Sequence, residues 1–216
     1  MEEKRSISGK ALEQFEAAFD RERANTVAMH AVVSNGLFKS AKNSAALQRD
    51  THTFSVSLQQ GEITNQKQSG RCWMFAGLNL MRFHVMRERN LKNFELSQAY
   101  LFFFDKLEKS NYFLESILET LDQPVNGRLV SFLLQAPVND GGQWDMLCGL
   151  VAKYGVVPKS AYPETVLSSA SRELNSCLTE KLREDACALR QRHAAGASLE
   201  ELRACKAAID RKSVVE

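Results

Sequence analysis

A chain of 216 residues, 44% hydrophobic and 25% charged, has the make-up of an ordinary globular protein and can bury one good core, or one core with an appendage. Its formal net charge of +2 offers no bulk attraction to nucleic acid or to an anionic membrane, so neither is an expected partner. The charged start Met1-Glu2-Glu3-Lys4-Arg5 leads into no apolar run of the secretory kind, and the longest apolar stretch, Ala99–Phe104, is far too short to cross a bilayer. The five cysteines, at 72, 148, 177, 187 and 205, are odd in number and show neither a CxxC pair nor metal-ligand spacing. Free thiols in a reducing cytoplasm, with no metal and no cofactor, are the expectation.

Residues 9–20 place Leu12, Phe15 and Phe19 on one helical face, and a second short helix follows from Asn25 to about Val33, stopped by Ser34-Asn35-Gly36. Thr53–Leu58 alternates Phe54, Val56 and Leu58 with polar residues, the pattern of a half-buried strand. A turn around Gln68-Ser69-Gly70 feeds a helix that begins near Cys72 and runs to about Arg89, with Trp73, Phe75, Ala76, Leu80 and Phe83 on its buried side. Ser97 reads as the N-cap of a further helical region, divided in two near Ser110-Asn111. Asn139-Asp140-Gly141-Gly142 is the strongest loop signal in the chain.

Trp144–Tyr154 reads as a helix closed by Gly155, and Val156-Val157-Pro158 opens an extended, Ser-rich connection to Ser171. From Arg172 the pattern is helical almost to Asp210, broken at Gly196 and restarted by a Ser198/Glu201 capping box. The expected organisation is a body over 1–171 and a helical hairpin arm over 172–216.

The chemistry gathers at Asn65–Ala76. Cys72 stands directly behind a Gly-containing turn and at a helix start, where the positive end of the helix dipole favours a thiolate. Alone, a cysteine before a tryptophan is most often a small buried hydrophobe. Gln66, six residues earlier, adds a side-chain amide able to donate to an oxyanion, and Ser69-Gly70 and Trp73 complete the setting of a nucleophile. Gly141-Gly142 is either a tight loop or a backbone edge that pairs with an extended peptide.

A general base is harder to find. His84 lies one long helix away from Cys72, His30 in a short N-terminal helix and His193 in the charged arm; His52, just ahead of the expected strand, is the one distance does not exclude. The charges of 172–211 have the spacing of a solvated helix surface.

The run Asn65-Gln66 through Phe75 resembles the active-site segment of papain-like cysteine peptidases, and Ser69-Gly70-Arg71-Cys72-Trp73-Met74-Phe75 is similar to the bleomycin hydrolase and bacterial aminopeptidase C branch. Asn93–Gln98, Asp105-Lys106 with Glu108–Asn111, Asp140–Met146, Lys153–Ser160, Tyr162-Pro163-Glu164 and Ser171–Asn175 carry the same resemblance, in order. It implies a papain-like α+β fold, of which this chain holds mainly the helical domain while the β-rich domain is largely missing. Cys72 would be the nucleophile that forms a thioester. Gln66 and the Cys72 N–H would hold the oxyanion, and Gly141, Gly142 and Trp73 would bind substrate.

The implied activity is removal of N-terminal residues from peptides by a cytoplasmic homohexamer. Family members are about twice this long, and their catalytic histidine and asparagine lie in the second half. The expectation is therefore an N-terminal half, inactive alone, from a truncated gene, a frameshifted one, or a split gene whose separate partner chain holds the C-terminal half. The alternative is an inactive remnant that serves only as a binding or interface module.

Overall fold

The structure, a computed structural model, describes residues 6–50, 53–58 and 60–215. Its contacts divide the chain into two compact units, Met1–Leu58 and Gln59–Glu216.

The described residues of the first unit form four helices: α1 (Gly9–Asp20), α2 (Arg23–Asn35), α3 (Leu37–Ser40) and α4 (Ser44–Arg49). Ser8 caps α1 by accepting from the Ala11 N–H at 3.3 Å, and Asn43 caps α4 through Ala46 at 3.1 Å. None of the four buries a described residue. The strand expected over Thr53–Leu58 does not form, and Phe54, Val56 and Leu58 are all exposed. Alternation alone cannot make a strand, because the backbone needs a partner ladder, and none runs beside these residues among those described.

The second unit is built around α6 (Gln98–Glu119), against which α5 (Cys72–Glu88), α7 (Arg128–Gln135), α8 (Trp144–Tyr154), α10 (Arg172–Ala194) and α11 (Leu199–Val215) all pack. Ser97 caps α6 through the Tyr100 N–H at 3.0 Å. The break expected near Ser110-Asn111 is absent, and α6 runs straight through it. Ser110 turns its hydroxyl onto the Lys106 carbonyl at 2.8 Å, and Asn111 accepts from Lys206 at 2.5 Å, so both polar side chains are satisfied without ending the helix.

One half of α6 joins Met74, Leu78, Leu96, Leu101, Phe102, Leu147 and Leu150 in a core beside α5 and α8. The other half carries Phe113, Leu114, Ile117 and Leu118 into a core with Leu182, Ala186, Leu189 and Leu202. The division expected at Ser171 therefore does not separate two cores, since the hairpin α10–α11 packs on the same helix that braces α5. Gly196, at φ +91°, makes the bend between the two, and Glu201 accepts from the Ser198 N–H and hydroxyl at 2.7 and 2.9 Å.

The buried face of α5 also differs from the expected one. Met74, Phe75, Leu78, Arg82 and Met86 are buried, while Ala76 and Leu80 are exposed and Trp73 and Phe83 half-buried. Met74, Leu78, Arg82 and Met86 form one row at four-residue spacing, and an arginine in that row hid it from a purely apolar pattern. Gly77 lets α8 close in, because a Cβ there would lie 2.0 Å from the Leu147 Cδ2.

The connection read as extended holds a short helix, α9 (Val166–Ser169), with a Thr165/Ser168 capping box. Strand-like pairing among the described residues is limited to two isolated bridges, Gln68 with Ala170 and Leu96 with Pro158. No described helix is long and apolar enough to cross a membrane.

Candidate active site around Cys72

The turn before Cys72 folds on its own polar groups. Asn65 Oδ1 accepts from the Lys67 N–H at 2.7 Å, and Lys67 takes a left-handed φ of +52°. Gln66 closes the turn from both ends: its Nε2 donates to the Ser69 carbonyl and its own carbonyl accepts from the Ser69 hydroxyl, each at 2.6 Å. The turn is then tied to the segment after α9, with Gln68 N–H on the Ser169 carbonyl at 3.0 Å and Ser171 N–H on the Gln68 carbonyl at 3.3 Å.

Arg71, the cap residue of α5, is fully buried. Its Nε donates to the Ser69 hydroxyl at 2.8 Å and its two terminal nitrogens fork onto Glu164 at 2.9 and 3.0 Å. Phe75 and Phe102 flank the guanidinium at 5.1 and 5.3 Å. Burial pushes the Glu164 carboxyl up, but Arg71 and Ser168 outweigh it and hold the group below its usual range. With Arg71 so engaged, no side chain caps α5. The free N–H groups of its first turn, and the positive end of its dipole, are left to an outside ligand. Cys72 is the first residue of that helix and is exposed.

Opposite lies the Asn139–Gly142 loop. Lys106 donates to the Asn139 carbonyl at 2.8 Å and to Asp140 Oδ1 at 2.7 Å. Lys109 reaches the Asn139 and Gly141 carbonyls at 2.8 and 2.7 Å and pairs with Asp105 at 2.8 Å. Asp140 also accepts from Gly70 N–H at 3.1 Å, from Asn175 at 2.7 Å and, in a short contact, from the Ser171 hydroxyl.

Burial would raise the Asp140 carboxyl, but Lys106, Ser171 and Asn175 overcome that and hold it well below the usual carboxylate range. Burial lowers Lys106 despite Asp140, and raises Asp105 despite Lys109. The Trp73 indole N–H donates to the Asp140 carbonyl at 2.9 Å, and Gly142 lies flat on the indole: a Cβ there would fall 2.4 Å from the ring.

Trp73, Gly141 and Gly142 are thus brought together beside the helix start that carries Cys72. Gln66 stands in the same turn, with its amide engaged by Ser69. The Gly141 carbonyl is taken by Lys109, which leaves Gly142 as the freer part of the backbone edge. Both histidines of the second unit pair outside this site. His84 is exposed and 3.4 Å from Glu88, and His193 is 3.0 Å from Asp122. His30 sits in α2 of the other unit, and His52 lies outside the described residues.

A groove of about 840 Å³ between α7 and α10, and another of about 530 Å³ between α6 and α8, include neither Cys72 nor Trp73 in their walls. No group of three metal-ligating side chains occurs among the described residues. Sequence reasoning missed Arg71, Lys106, Lys109, Asp140 and Glu164 as parts of the site. The arginine directly before Cys72 and the acid at the head of the glycine pair were the available signals.

The site thus presents an exposed thiol at an uncapped helix start, behind a braced turn and beside a tryptophan–glycine edge. Comparison with known proteins gives the family. The Peptidase C1-like family matches residues 6–212. An Aminopeptidase C of Lactobacillus delbrueckii subsp. lactis is 48% identical over 203 residues, which is 94% of this chain and 45% of that protein. An Aminopeptidase C of Streptococcus thermophilus is 52% identical over 177 residues, 82% of this chain and 40% of that protein. A crystal structure of pepw from Lactobacillus rhamnosis HN001 superposes with a TM-score of 0.89 at 48% identity, covering 97% of this chain and 47% of that one. The chain belongs to the Peptidase C1-like family. It spans less than half the length of the curated relatives it matches.

Proposed function

We propose that this chain is the nucleophile-bearing half of a papain-like cysteine aminopeptidase of α+β architecture, acting on the N-terminal residues of peptides. The observation that carries the reading is the exposed Cys72 at the uncapped start of α5, directly before Trp73, whose indole packs on Gly142. An extended peptide would lay its backbone along Gly142. The Cys72 sulfur would attack the scissile carbonyl, and the oxyanion would meet the Cys72 N–H and a Gln66 amide proton. Collapse of that intermediate gives a thioester on Cys72 and expels the amine, which must take a proton. His84 lies about three turns along α5 beside Glu88 and His193 lies on α10 beside Asp122, so a histidine from elsewhere, on a partner chain or on further sequence, would first take the thiol proton and then give it to the amine.

Five free thiols suit a reducing cytoplasm. The apolar side chains that 6–58 leaves exposed support assembly with further chains, a homohexamer on the family's pattern. The commitment of both described arm and α5 histidines favours a second reading, in which the chain alone binds peptides without cleaving them.

The test is the chain itself, in reducing buffer, treated with iodoacetamide and mapped by mass spectrometry. Cys72 should label about tenfold faster than Cys148, Cys177 and Cys187, which are exposed as well. Equal rates at all four would remove the nucleophile from the reading. A parallel assay on a fluorogenic amino-acid amide, with Cys72→Ala as control, separates the two readings. Turnover that vanishes in the variant means that a base is at hand, and no turnover means a half-site.

A further inference from the structure

We infer that Asp140 is a positioning residue for Cys72, fixing the nucleophile turn against the Gly141–Gly142 edge so that thiol and substrate backbone meet in one geometry. This rests on Cys72 being the nucleophile.

The carboxylate takes four donors from three separate places in the chain: the turn before α5, the middle of α6 and the start of α10. Gly70 N–H, two residues before Cys72, and the Ser171 hydroxyl meet at Oδ2; Lys106 and Asn175 meet at Oδ1, each at 2.7 Å. The Asp140 carbonyl receives the Trp73 indole N–H at 2.9 Å, from the residue after Cys72. A single residue thus holds the chain on both sides of the nucleophile, and its own peptide bond leads into Gly141.

The approach is close enough that a Cβ on Gly70 would lie 2.6 Å from the Asp140 Cβ, so turn and loop meet backbone to side-chain root. Lys109 clamps the carbonyls of Asn139 and Gly141 on either side of Asp140, at 2.8 and 2.7 Å, which removes the loop's remaining freedom.

Only an ionised carboxylate satisfies this arrangement. An asparagine would turn an N–H₂ group toward either Lys106 or the Gly70 N–H, both obligate donors, even where the Ser171 hydroxyl or the Asn175 amide turned round to accept. Charge-assisted bonds are the short and stiff ones, and a catalytic constellation displaced by an ångström loses rate by orders of magnitude. Asp140 touches no reacting atom; it acts through Gly70 and through the loop.

The test compares two electrophiles on the full chain, each losing a halide as the Cys72 sulfur bonds to carbon. Iodoacetamide reports access and thiol reactivity alone. Alanyl-leucine chloromethyl ketone must also seat its backbone on the glycine edge and its ketone oxygen at the helix start. The readout is the ratio of labelling at Cys72 to labelling at Cys187. In Asp140→Asn the ketone ratio should fall about tenfold or more, with the iodoacetamide ratio held within about twofold.

Ser171→Ala and Asn175→Ala keep the Lys106 pair and should lower the ketone ratio less, by about two- to fivefold. They decide the matter if Asp140→Asn does not fold, which fast labelling of the half-buried Cys205 would reveal. A ketone ratio unchanged in every folded variant would overturn the inference and leave the nucleophile reading standing. A wild-type chain in which the ketone shows no preference for Cys72 would overturn both.

Discussion

The two units of this chain are both helical, and they are made in opposite ways. In 59–216 the helices bury apolar rows in two cores and also bury charge: Arg71, Lys106, Asp105 and Asp185 are each less than a tenth exposed. Among the described residues of 6–58 four helices form, two of them with side-chain caps, yet none of their residues is buried, and Phe38 is 86% exposed. Local signals are enough to define a helix. They are not enough to define what it packs on, and most helical stability in proteins comes from that packing.

The largest effect should come from the cores. Phe113→Ala should cost about 3–5 kcal/mol in urea unfolding, because the ring is 2% exposed and sits among α10 and α11 side chains. Arg71→Ala should cost a similar amount, about 3–5 kcal/mol, since it strands the Glu164 carboxylate in a part-buried site.

Acid titration of stability sharpens the same contrast. Glu164 and Asp140 lie below their ordinary range in the folded chain, so their contribution is complete above about pH 4 and is lost as pH falls through their lower folded values. Asp105, raised by burial, works the other way: its contribution is present at low pH and is lost as pH rises through its folded value. The wild-type midpoint should therefore decline below about pH 4, and the decline should shrink in Asp140→Asn.

Removal of the α1 cap, Ser8→Ala, should cost about 1 kcal/mol, read as lost helicity by circular dichroism. Phe38→Ala should shift the urea midpoint least, within about 0.5 kcal/mol. If it matched Phe113→Ala, the contrast between the units would break, and 6–58 would have to be buried against another copy in solution.

The sequence was legible where the determinants are local. Gly9–Asp20, the stop at Gly36, the Ser97 cap, Trp144–Tyr154 with its closing glycine and the Ser198/Glu201 box all stand where the residues placed them. Cys72 falls on the first residue of its helix for the same reason: a turn and an apolar run meet there. What could not be read depends on distance. The alternation at Phe54, Val56 and Leu58 needed a partner strand that local pattern does not supply. The row Met74, Leu78, Arg82, Met86 was obscured by its arginine. The pairs Arg71–Glu164 and Lys106–Asp140 join residues 93 and 34 positions apart, and each uses a side chain that composition assigns to the surface.

The brace on the turn before Cys72 also sets an order of events during synthesis. Glu164, the partner that anchors Arg71, lies 93 residues beyond it, and the Ser169 and Ser171 backbone that pairs with Gln68 comes later still. A nascent chain halted before residue 164 has the thiol, the tryptophan and the Asp140 contacts to Gly70 and Trp73, but neither the anchor of Arg71 nor the backbone partner of Gln68. The setting of Cys72 is complete only once Asn175 has been made, and translation is its timer.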